Sequence, residues 1–156
     1  MIKTKIFSQR DPKWKNDLMG KTKMSIGFYG CTITALCSLL DYYGYDETPK
    51  TVNQKLTDNG GYAYGTALLI WTAVPRIWPH VKFIKRVAGS YNNVEVAWWV
   101  YVKSTPVMVE VNAASIGATR HWVLYIGDRK AMDPWTGIIV PTNKYPAIGY
   151  SIYSKV

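Results

Sequence analysis

The chain has 156 residues, 48% hydrophobic and 19% charged, which is the length and composition of one globular domain able to bury its own core. Two cysteines and no tripeptide or heptad repeat exclude a disulfide scaffold, collagen and a coiled coil. The formal charge of +9 favours anionic partners, but the excess is spread along the chain and selects none of them.

No apolar run approaches a membrane span, and residues 1–8 carry lysines without an apolar stretch of leader length behind them. A cytoplasmic protein, a mature form, or export by another route is therefore expected. The first 30 residues read as irregular, punctuated by Pro12, Gly20, Gly27 and Gly30. Ala35, Leu36, Leu39, Leu40 and Tyr43 then recur at helical spacing, predicting a helix over residues 31–43 that Gly44 ends. Thr48 and Pro49 open a second helix, with Val52 and Leu56 on its inner face and its end near Gly60. A third is expected over residues 66–77, kinked or ended by Pro75. A short strand follows at 81–87, then a helix over 93–103 with Val94, Ala97, Trp98 and Tyr101 inward.

The last third changes character. Residues 106–111, 122–126, 131–133, 137–140 and 148–153 are short β-branched or aromatic runs between turn signals. Helices followed by an antiparallel sheet make an α+β fold. The expected organisation is a single domain over 1–156: an arm to residue 30, a mainly helical part over 31–104, and a mainly β part over 105–156.

Cys31 and Cys37 stand six residues apart on one helix, about 9 Å between α-carbons and beyond disulfide reach, so both are expected as free thiols. Cys31 falls in the first turn, behind Gly30, where free N–H groups and the positive end of the helix favour a thiolate. Taken alone, such a cysteine is more often an inert core residue. Cys37 faces away and needs no chemical role. Of the two histidines, His80 follows a proline in a loop and reads as surface. His121 opens a strand-like run, and Asp133 lies 12 residues on, a separation that suits two adjacent antiparallel strands. A carboxylate there would orient the imidazole as the third member of a nucleophile–base–orienter set, although Asp133-Pro134 also reads as a plain turn starter. No paired metal-ligand spacing and no phosphate-cradling glycine loop is present, so neither a metal nor another cofactor is expected.

Gly30-Cys31-Thr32 running on to Gly44, Thr48-Pro49, Thr105 to Val111, His121 to Gly127, Asp133 to Gly137 and, upstream, Gln9 to Trp14 together resemble the C39-like cysteine peptidases, a branch of the papain-like superfamily. The resemblance spans roughly residues 9–137. Its order, Gln…Cys…His…Asp, makes it specific. It implies a papain-like fold in which an N-terminal nucleophile helix packs on a C-terminal antiparallel sheet. It further implies Cys31 as nucleophile, His121 as general base then acid, Asp133 as orienter, and Gln9 as a side-chain donor to the oxyanion hole beside the Cys31 N–H. Gly30, Trp122 and Trp135 are the candidate substrate-binding residues; the two tryptophans read equally as groove walls or as core. The sequence departs from the bacteriocin-leader peptidases, which carry Asp-Cys-Gly at the nucleophile, and this points away from double-glycine leader cleavage.

The expected activity is a thiol hydrolase, a peptidase or amidase working through an acyl-enzyme on a protein, a peptide or the stem peptide of a bacterial cell wall. The compact format suits a phage or bacterial enzyme, and a monomer. The competing reading is a non-catalytic basic module that stacks single-stranded nucleic acid or glycan on its tryptophans. The core-like positions of those aromatics and the absence of a nucleic-acid motif disfavour it.

Overall fold

A computed structural model describes residues 1–156. The protein is α+β, and its centre is a six-stranded sheet in which every neighbouring pair is antiparallel. The strands are β1 (Val81–Val87), β2 (Val107–Ala113), β3 (Ala118–Gly127), β4 (Lys130–Asp133), β5 (Ile138–Pro141) and β6 (Ala147–Lys155), in the order β1-β6-β2-β3-β4-β5. The last strand is thus inserted between β1 and β2. The early strand at 81–87 becomes an edge of the same sheet.

Two helices pack on one face. In α2 (Cys31–Tyr42) every residue from Ile33 to Leu40 is buried. A helix apolar on nearly all sides belongs in an interior. In α3 (Pro49–Asp58), Thr48 and Thr51 form a reciprocal capping box and Pro49 takes the first position, where no N–H is needed. These helices share a core with Met108, Trp122, Leu124, Ile126, Met132 and Tyr153 of the sheet. The opposite face presents Val107, Val109, Val123, Ala131, Val140 and Ile152 to Val96 and Val100.

Two helical expectations need correction. Over residues 66–77 the helix begins only at Trp71, with a 3₁₀ turn to Ala73 and then α4 (Val74–Ile77). Leu69 instead bridges Tyr62 in extended form. Pro75 lies in the first turn of α4, so it starts a helix rather than ending one. Over 93–103, α5 (Asn93–Ala97) passes into a π-helical turn, Trp98–Val102, in which Lys103 N–H reaches Trp98 O. Val96 and Val100 point inward, while Val94, Trp98 and Tyr101 are exposed.

The irregular first 30 residues contain one short helix, α1 (Ile26–Tyr29), and are otherwise strapped to the body. Ile2 N–H donates to Ile126 O, Thr4 Oγ1 donates to Ser38 O, and Lys5 N–H donates to Asp41 Oδ2. This strap fixes the course of the chain into Gln9. No helix is long and apolar enough to cross a membrane.

Candidate active site

Cys31 begins α2, half-buried, and is a free thiol, as is the fully buried Cys37. Gly30 is the N-cap, and its N–H is held by Ile26 O at 2.8 Å. A Cβ on Gly30 would lie 2.5 Å from that same oxygen, so only glycine lets α1 turn this tightly into α2. Thr34 closes the turn from the other side, its hydroxyl donating to Gly30 O at 2.7 Å. The N–H groups of Cys31, Thr32 and Ile33 have no backbone acceptor. They are the unpaired donors with which any helix starts, here gathered around the thiol.

His121 and Asp133 are brought together by the β3–β4 hairpin. Gly127 pairs with Lys130 across a two-residue loop, and both loop residues, Asp128 and Arg129, have φ above +50°. That is the primed turn whose twist matches the strands, and it fixes the register. Leu124 pairs with Met132, so Asp133 falls one step beyond, diagonal to His121 on the same face. His121 Nε2 and Asp133 Oδ1 are 2.7 Å apart, and both side chains are almost wholly buried.

Asp133 is supplied with donors on both oxygens. Trp135 N–H gives to Oδ1 at 2.9 Å and the Tyr145 hydroxyl to Oδ2 at 2.7 Å, with Lys144 Nζ 3.8 Å from Oδ2. Burial alone would raise its pKa, but the hydrogen bonds from His121 and Tyr145 outweigh this and hold the carboxyl below its ordinary range. His121 shows the mirror-image balance. Burial disfavours its charged form, yet the hydrogen bond to Asp133 and the neighbouring Cys31 sulfur raise it to about 9. With Nε2 committed to Asp133, Nδ1 is the nitrogen left for Cys31. The Tyr145 ring closes the other side of the imidazole, edge to face at 5.8 Å.

Gln9 is 1% exposed. Its Nε2 donates to Gly27 O at 3.2 Å, while Oε1 has no partner. The opposite amide orientation would set two carbonyl oxygens against each other, so the NH₂ belongs on the Gly27 side. One of its two hydrogens remains unspent. The loop is tied to the Asp133 turn: Gln9 N–H donates to Pro134 O, and Gly137 packs so closely on Ser8 that a Cβ would approach to 2.6 Å.

The two tryptophans separate. Trp122 is buried in the helix-side core, tilted on Trp71 at 4.9 Å and covered by the Arg86 guanidinium at 4.8 Å. Arg86 in turn pairs with the buried Glu110. Trp135 is half-buried and lines an open groove with Ser8, Gly27 and Phe28. His80 is exposed. Tyr145 is the member of the cluster that sequence reasoning missed. It sits in an irregular segment, and only the fold shows that β5 returns the chain to the buried Asp133.

The histidine thus lies between a carboxylate at 2.7 Å and a thiol, with unpaired N–H donors beside the sulfur. Such a set can hold a thiolate–imidazolium pair, attack an electrophilic carbon and return a proton. No group of three or more His, Cys, Asp or Glu side chains is placed to hold a metal ion. No family model matches the chain, and no curated protein is similar enough to it to count as a match.

Proposed function

We propose that this protein is a cysteine-dependent hydrolase of amide bonds, a peptidase or amidase of the papain-like, C39-like kind, with Cys31 as nucleophile. The observation that carries the reading is the position of His121 between Asp133 Oδ1 at 2.7 Å and the Cys31 thiol at the start of α2. In the proposed cycle the Cys31 sulfur attacks the scissile carbonyl carbon, and a C–S bond forms as the carbonyl oxygen becomes an oxyanion. The Cys31 N–H and the unspent Gln9 amide hydrogen are the donors available to that oxygen. His121 Nδ1–H protonates the leaving nitrogen as the C–N bond breaks, leaving a thioester. Water then attacks the thioester, His121 takes its proton, and the acid departs as the C–S bond opens. Asp133 keeps its proton off throughout and holds the ring in place.

Mass-spectrometric labelling with limiting iodoacetamide at pH 6 tests this. Selectivity for Cys31 over Cys37 does not suffice, because burial, with the Glu47 and Asp41 carboxylates, pushes the Cys37 thiol far above its ordinary pKa whatever Cys31 does. The decisive comparison is His121→Ala, which removes the imidazolium beside the sulfur. Labelling of Cys31 at least about tenfold slower in the variant is expected. Equal rates in the two proteins would overturn the proposal.

A further inference from the structure

The groove beside the candidate site has an electrostatic character that amide hydrolysis does not require. It has a volume of about 640 Å³, and Arg10, Lys15, Phe28 and Trp135 are among its lining residues. Its walls are the sequence neighbours of three site residues. Ser8 and Arg10 flank Gln9, Gly27 and Phe28 lead into Cys31, and Trp135 follows Asp133 closely. A chain bound across Cys31 therefore has this groove within reach on one side of the bond.

Arg10 is pre-arranged. Its guanidinium lies over the Trp135 ring, 4.3 Å from the centroid, and its Nε donates to Trp135 O at 2.8 Å. Neither terminal nitrogen makes a hydrogen bond or ion pair within the protein, so the fork that suits a carboxylate faces the groove unspent. Lys15, on the same groove, has no acidic partner either. No carboxylate lines the groove. The nearest acids in sequence are occupied elsewhere: Asp11 caps Lys13 N–H at 2.9 Å and Asp17 pairs with Lys50 at 2.9 Å. Phe28, 77% exposed, adds an apolar wall against which a peptide can lie. The cavity lined by Arg129 and Lys130 also has aromatic walls, but none of the site residues or their immediate neighbours in the Gln9 and Cys31 segments.

We infer that this groove is a specificity subsite for a carboxylate, and that the substrate is a peptide bearing an acidic side chain or a free terminal carboxylate close to the bond cleaved. The assignment of that carboxylate to a substrate rests on the thiol-hydrolase reading. Arg10 is its principal ligand, with Lys15 supplying a second charge and Trp135 holding Arg10 in place.

The test uses acetylated hexapeptide pools in matched arms: Glu or Gln fixed at each position in turn, and C-termini free or amidated. Mass spectrometry reads the cleavage products. Wild-type protein is expected to prefer a carboxylate in one arm by about tenfold. The position-resolved Glu arm signifies a side chain, and the free-terminus arm a chain end. The preference should fall to near unity in Arg10→Ala and invert in Arg10→Glu, weaken in Lys15→Glu, and survive in Lys82→Glu, which alters a cation outside the groove. Cleavage without any preference, or a preference that Arg10→Glu leaves in place, overturns the subsite while the hydrolase reading stands. If no pool is cleaved, the peptidase form of the hydrolase reading is what fails. The groove is then judged by binding, from the Trp135 indole N–H resonance of Cys31→Ala titrated with the same pools. Saturation at about tenfold lower Glu than Gln peptide, abolished by Arg10→Ala, sustains a carboxylate site. Equal response to both arms overturns it.

Discussion

The raised pKa of His121 makes a prediction about folding that needs no substrate. In the folded protein its imidazole holds a proton to about pH 9, against 6.5 for an unperturbed histidine. Each pH unit between the two values corresponds to about 1.4 kcal/mol, so the charged ring contributes about 3 kcal/mol to stability when that contribution is complete. The side chain is 3% exposed, so solvent screening takes little from this. Because the folded value is the higher one, the contribution is fully present below pH 6.5, where folded and unfolded chains both carry the proton. It declines above 6.5, as the unfolded chain sheds its proton first, and is gone once pH has risen through 9. A Cys31 thiolate would cancel this dependence, because between pH 6.5 and 9 the unfolded cysteine holds the one proton that the folded histidine holds, so the test uses Cys31→Ser. Urea unfolding of that variant at pH 6.5 and at pH 9 should differ by up to about 3 kcal/mol, or a midpoint shift of up to about 1.5 M for a domain of this size. Adding His121→Gln should flatten this window while leaving the steeper losses above it. Those belong to Cys37, whose ordinary value is 9.0 and which burial raises, and at higher pH to buried tyrosines such as Tyr62 and Tyr153. A Cys31→Ser profile as flat as that of the double variant between 6.5 and 9 would refute an imidazole held charged by Asp133.

Two further outcomes are expected. Tyr145→Phe removes the donor to Asp133 Oδ2 and leaves a buried carboxylate one partner short; stability should fall by about 1.5–3 kcal/mol in thermal or urea unfolding, and the pH at which His121 titrates by NMR should move, whereas an unchanged titration would deny Tyr145 a positioning role. Gln9→Ala should lower turnover of a cleaved peptide by about 100- to 1,000-fold while Cys31 still alkylates at the wild-type rate, because the amide serves the oxyanion and not the thiolate; parallel loss of both would mean that Gln9 acts through the structure alone.

The fold was legible where local chemistry and tertiary packing agree. α2 and α3 begin and end within a residue or two of where their caps place them, because Gly30, Thr48 and Pro49 fix backbone geometry that packing then only confirms. The strands were legible in number and approximate position, but not in order. Nothing in the β-branched runs says that β6 enters between β1 and β2, since that depends on long-range pairing. The two helical misreadings share a cause. Around Pro75 and Trp98 the residues are apolar on several sides, so periodicity loses its direction, and the buried stripe runs through Val96 and Val100 instead of Val94 and Trp98.

The site divides in the same way. His121 and Asp133 could be paired from the sequence because a tight hairpin is a local object, and 12 residues with a two-residue loop leave few registers. Cys31 could be placed at a helix start for a similar reason, whereas its proximity to His121 is a tertiary matter, carried by the packing of α2 on β3. Gln9 and Tyr145 lay outside local reasoning altogether, and the structure ties both to the same carboxylate-bearing turn. Gln9 N–H is bound to Pro134 O at 2.8 Å, the Arg10 guanidinium lies over Trp135, and Tyr145 holds Asp133 Oδ2. The loop after Asp133 is therefore the common support of the orienting carboxylate, of the candidate oxyanion donor and of the cationic groove. Its backbone does this work through Trp135 N–H, Pro134 O and a Gly137 that no side chain could replace against Ser8. Orientation of the histidine and presentation of the Gln9 amide thus share one backbone support, which the Gln9 side chain does not itself carry.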